Sequence, residues 1–93
     1  VGARVDPAAL AEEQRRADTL RRTVDVAAAV IRQGHLTRAE GEALVATTRR
    51  RALELFPDKE SVFDLVLAPR FARLVDEFTH EPRRARVLPF PGR

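Results

Sequence analysis

From Pro7 to Gln33 nothing in the sequence interrupts a helix. Asp6-Pro7 opens the stretch with a side chain that can accept from free N–H groups and a ring preset for the first helical position. Gly34 closes it with the residue favoured just past a helix end. At ~1.5 Å per residue this predicts a rod of about 40 Å. A rod of that length in a chain of 93 residues decides most of the architecture. The remainder must fold against it or leave part of it bare.

Leu10, Ala17, Val24 and Ile31 recur every seven residues along the rod, with Leu20 and Ala27 interleaved. Glu13 interrupts the interleaved row near its start. The seam is therefore weak over residues 7–18 and strong after them. Val26, Ala29 and Val30 widen the apolar face of the second half, which predicts core there and an exposed rod before it. Thr37-Arg38-Ala39-Glu40 reads as a capping box opening a second helix. Gly41, Leu44, Val45, Thr48, Ala52, Leu55 and Phe56 share one face of it, and Gly41 and Ala52 permit a close neighbour. The short Gly34-His35-Leu36 connection predicts an antiparallel hairpin.

Phe56-Pro57-Asp58 ends the second helix. Asp58 is the expected cap of a third, near Lys59 to Leu67, with Val62, Phe63, Val66 and Leu67 inward. Ala68-Pro69 predicts a bend into a fourth helix, where Phe71, Leu74, Val75 and Phe78 form an amphipathic stripe. Phe56, Phe63 and Phe71 are expected to meet. The predicted fold is all-α: a long antiparallel helical hairpin plus two short C-terminal helices, a small helical bundle, with an extended C-terminal tail. The expected organisation is an N-terminal extension (1–6), a helical bundle domain (7–80) and a basic, Pro-containing tail (81–93).

The formal charge is +3, and its distribution matters more than its size. Residues 1–57 hold ten Arg against eight acids, residues 58–80 three bases against five acids, and residues 81–93 four Arg against Glu81. The net charges of +2, −2 and +3 leave the first eighty residues neutral. A nucleic-acid domain draws most of its affinity from phosphate neutralisation on its folded face. Here only the tail offers such an excess. Arg49-Arg50-Arg51 stand ~100° apart on a helix and form no single patch. Arg15, Arg16, Arg21 and Arg22 alternate with Glu12, Glu13, Asp18 and Asp25 at spacings that suit intrahelical ion pairs.

Chemistry is sparse. There is no Cys, hence no thiolate and no sulfur-based zinc site. His35 and His80 have no metal-ligand spacing, the single Ser61 has no triad context, and the glycines form no phosphate-cradling motif. In outline, a helical chain of this length with a long first helix and scattered Arg resembles the all-α chorismate mutases, whose site clamps a dicarboxylate with Arg and Lys. Their motif has no residue-by-residue match here, and the one Lys, Lys59, stands at a helix start. Outline alone implies no activity. No cofactor, metal or catalytic constellation is expected.

The longest near-continuous apolar stretch, Val24 to Ile31, is broken by Asp25 and is far short of the ~20 residues of a membrane span. A cytoplasmic protein without membrane contact is expected. The heavy use of Arg and Ala suits a GC-rich bacterial gene. The tail carries Val87, Leu88 and Phe90 between prolines, preceded by Arg83, Arg84 and Arg86. Proline stiffening lowers the entropy cost of docking such a segment, on this bundle or on another chain, and the Arg residues can steer it toward an acidic surface. The functional expectation is a non-enzymatic protein-interaction module, a small accessory or regulatory subunit or adaptor of a bacterial complex. Its partner, a protein or a second copy, is expected to bind through Leu10 and Ala17 on the first helix and Arg83, Arg84, Arg86, Val87, Leu88 and Phe90 in the tail. The alternative is nucleic-acid binding by the basic tail and the Arg49–Arg51 helix.

Overall fold

The computed structural model describes residues 6–82. Helix α1 spans Pro7–Arg32 and α2 spans Arg38–Leu55. A three-residue helix α3, Glu60–Val62, runs without a gap into a π turn, Phe63–Leu67, and then into α4, Ala68–Phe78. The fold is all-α, a small helical bundle.

The helix ends follow local chemistry. Asp6 Oδ1 accepts the Ala8 N–H at 3.1 Å, with Pro7 at the first position. At the other end Gly34 takes φ 80°, a left-handed conformation that disfavours any Cβ, and donates its N–H to Ile31 O. The capping box of α2 is complete: Thr37 Oγ1 accepts the Glu40 N–H at 3.1 Å, and Glu40 Oε1 accepts the Thr37 N–H at 2.9 Å. Asp58 does not cap the third helix. Lys59 holds the cap position, and no side chain bonds the free N–H groups there.

The expected bend at Ala68-Pro69 takes the form of a widened turn. Pro69 has no N–H for the Leu65 carbonyl, and in a regular α turn its ring presses on that oxygen. The preceding turn opens instead, and Ala68 donates its N–H to Phe63 O, five residues back. The wider turn changes which side chains face inward. Phe63 is buried and Leu67 half-buried, whereas Val62, Leu65 and Val66 stand exposed. The inward placement expected of Val62 and Val66 is thus corrected: Val66 lies within the π turn and Val62 immediately before it, and both are exposed.

Each of α1, α2 and α4 touches the other two. The Gly34 turn joins α1 and α2 at one pole, and Arg16 lies over the Phe56 ring at the far end of the pair, so the two helices are antiparallel. The end of α4 returns to the Gly34 pole. There His80 N–H donates to Leu36 O at 3.2 Å and Arg38 N–H donates to His80 O at 2.8 Å. Helix α4 therefore runs parallel to α1 and antiparallel to α2. Gly41 permits the close approach: a Cβ at that position would lie 2.8 Å from Thr79 Cγ2.

The core joins Val24, Ala27, Ala28 and Ile31 of α1, Ala52 of α2, Phe63 of the π turn, and Phe71, Leu74 and Val75 of α4. Burying side chains such as Ile31 and Phe71 stabilises a fold by ~1.5–3 kcal/mol each. Phe63 and Phe71 stack with ring centroids 6.4 Å apart. Phe56 is not the third member of that stack; it remains half-buried under Arg16, whose Cζ is 5.8 Å from the ring centroid. Val26 and Ala29, expected to widen the inward face of α1, are exposed. Among the described residues α2 and α4 are the main helices packed on α1, and the stripe bearing Val26 and Ala29 is left uncovered by them.

Candidate interaction surfaces

Three surfaces of the bundle carry apolar side chains that no element among the described residues covers. The first is the start of α1. With 26 residues against the 18 of α2, α1 outruns its partner, and residues 6–15 are exposed throughout. Leu10 is 56% exposed. Ala17, the next residue of the same seam, is half-buried at the edge of the bundle. The heptad row Leu10, Ala17, Val24, Ile31 thus passes from open to fully enclosed along one helix. Ion pairs run along the bare part: Arg15 and Arg16 both reach Glu12, at 2.8 and 3.5 Å. The hydrogen bond from Arg15 draws the Glu12 carboxyl below its usual pKa.

The second surface lies where α3 meets the π turn. Val62, Leu65 and Val66 are all about half exposed or more, and Leu65 reaches 77%. Spacing them on an ideal α-helix hides this cluster, because the turn's extra residue is invisible in the sequence. What the sequence does contain is Pro69, and its missing N–H is the signal that the turn before it is irregular.

The third surface is a groove of about 470 Å³ between α1 and α2, on the side away from α4. Val26, Ala27 and Val30 form one wall and Leu44 the other. Thr23, Thr47 and Thr48 line it as well, but the Thr23 and Thr48 hydroxyls donate to Thr19 O and Leu44 O of their own helices, and Thr47 Oγ1 accepts from Arg50. Their polar groups are satisfied, and the groove presents methyl groups. Arg22 and Arg51 flank one end, and no carboxylate belongs to the lining.

The basic run on α2 is largely engaged. The Arg49 Nε donates to Asp64 at 2.9 Å, and an Nη of the same guanidinium donates to Glu60 at 2.6 Å. This fork clamps α2 to α3 and the π turn. The hydrogen bond from Arg49 holds the Asp64 carboxyl below its usual pKa, and both carboxylates raise that of Arg49. Arg51 pairs with Glu54 at 3.1 Å, while Arg50 is exposed and reaches only Thr47 Oγ1 at 3.4 Å. Arg49 is therefore held in a two-carboxylate ion pair while its side chain remains 36% exposed. Nothing in residue spacing signals its clamp, because its partners lie 11 and 15 positions away.

The two histidines are far apart in role. His35 is exposed in the turn, and His80 joins the backbone link to Leu36 and Arg38. Among the described residues no group of three His, Cys, Asp or Glu side chains could hold a metal, and no helix is long and apolar enough to cross a membrane. The candidate tail contacts Arg83, Arg84, Arg86, Val87, Leu88 and Phe90 lie outside the described residues. Compared with family models, with curated proteins and with solved structures, the chain has no significant match in any of the three.

Proposed function

We propose that the chain is a non-enzymatic protein-interaction module, a small accessory or adaptor subunit of a bacterial complex. One observation carries this reading. Among the described residues, five bulky aliphatic side chains, Leu10, Val26, Val62, Leu65 and Val66, stand at about half exposure or more, against nine apolar residues buried in the core. Isolated exposed aliphatics are ordinary, but clusters of them mark association surfaces. The bundle is also small, and association adds the burial that its own core lacks.

The test replaces Leu10, Val26 and Leu65 by Asp, singly and together, and separately removes residues 83–93. Sedimentation velocity reads the oligomeric state, and affinity purification from the native cell reads partner capture. The module reading expects at least one replacement to abolish a specific association while circular dichroism stays unchanged. A monomer that loses no partner in any variant overturns it.

A further inference from the structure

We infer that the groove between α1 and α2 receives an acidic amphipathic helix from a partner protein. The inference rests on the module reading and supplies the chemistry of the partner. The geometry is that of an unfinished four-helix bundle. One face of the α1–α2 hairpin is covered by α4, and the opposite face offers Val26, Val30 and Leu44 with no helix of the described residues upon them. From Val30 to Arg22 the groove runs for ~12 Å, room for two turns of an incoming helix with apolar residues at i, i+4 and i+7.

Charge selects the occupant. Arg22 and Arg51 stand on opposite rims at the same end, and the lining has no carboxylate. Arg51 shares its charge with Glu54. Arg22 makes no ion pair among the described residues, although Arg15, Arg16 and Arg21 on the same helix all do. A helix that carries Asp or Glu one turn beyond its apolar stripe meets both guanidinium groups, and they order it in one direction along the groove. The chain's own tail is a poor fit to this end. Arg83, Arg84 and Arg86 repeat the sign of the rim, and like charges brought together at an interface disfavour docking.

The probe is a displayed library of helical peptides of about 15 residues, selected on the full chain, with selected peptides resynthesised for fluorescence anisotropy. The expected peptides share an apolar stripe and an acidic turn beyond it. Val26→Asp is expected to weaken them about tenfold or more, as loss of an anchor does at a helix-in-groove contact. Val26 is 62% exposed, so this variant keeps its fold, which circular dichroism verifies. The double variant Arg22→Glu/Arg51→Glu is expected to lose the acidic peptides and to bind versions with Lys in place of Glu. Basic peptides, or acidic peptides indifferent to both variants, overturn the inference. Binding that survives Val26→Asp but is lost with Leu65→Asp or with removal of residues 83–93 overturns the groove assignment and leaves the module reading standing. A dimer that Val26→Asp dissociates assigns the groove to a second copy and overturns the acidic partner. Failure to enrich any peptide, with no association lost in the Leu10, Val26 or Leu65 variants, overturns both.

Discussion

Leu10 and Ile31 occupy the same heptad position of one helix, three repeats apart, yet one is 56% exposed and the other 0%. The helix does not change between them. What changes is the company: α2 and α4 flank Ile31, whereas α2 has ended before the level of Leu10. A seam in sequence is thus an offer of burial, and the length of the neighbouring elements decides how much of it is taken up. The same lesson applies around the helix as along it. Val24, Ala27, Ala28 and Ile31 are buried among the packed helices, while Val26 and Ala29, equally apolar, face outward because no helix among the described residues packs on that side of α1.

The contrast along α1 is broken most directly at its two ends. Ile31→Ala should cost ~2–5 kcal/mol, the range for removing an enclosed aliphatic side chain. Leu10→Ala should stay within ~0.5 kcal/mol, as for open surface positions. Urea unfolding of the two variants measures both, and equal midpoint shifts would place Leu10 against something in the free protein.

A smaller effect separates the caps of the two long helices. Thr37→Ala removes one half of the capping box beside the α2–α4 contact and should cost ~1 kcal/mol of global stability. Asp6→Ala removes a cap from a turn that projects beyond the bundle. It should lower helical ellipticity through fraying and leave the cooperative midpoint in place. Amide hydrogen exchange sharpens this comparison: protection of residues 8–14 should fall in Asp6→Ala, with that of α2 unchanged.

The smallest effect is a response to acid. Asp64 and Glu12 both have folded-state pKa values below their usual ones, Asp64 through its hydrogen bond from Arg49 and Glu12 through its hydrogen bond from Arg15. Each contribution is fully present above the ordinary carboxylate pKa and disappears as pH falls through the lowered value. The two pairs differ in reach. Arg49 and Asp64 tie α2 to the π turn, whereas Glu12 and Arg15 lie within one turn of α1. Asp64→Asn should therefore flatten the acid limb of the melting temperature against pH, and Glu12→Gln should leave it intact. Carboxyl NMR titration of the parent chain checks both directions of shift.

Much of this molecule is local, and local features are readable in residues. Asp6-Pro7, Thr37 with Glu40, Gly34 and the Phe71–Phe78 stripe each carry their own physical cause within a few positions. The features that escaped are relational. Arg49 finds its carboxylates on another element, and no pairwise spacing within α2 points to them. Val62 and Val66 have the spacing of core residues, yet both stand exposed beside a π turn that ideal helical spacing does not anticipate. Val26 has the character of a core residue too, and its exposure depends on the number of helices, which periodicity does not count. Of the expected contact surfaces, Leu10 was legible because the length of α1 against α2 could be counted. The groove was not, since it is made by two helices jointly.

The backbone link between His80 and the start of α2 has a spatial consequence for anything the chain holds. Because α4 is pinned at the Gly34 pole, residue 82 leaves the bundle at one extremity, and Leu10 stands at the other, some 30 Å or more away by helical rise. Contacts made near these two extremities cannot compete for the same space. The length of α1 fixes the separation between these two ends.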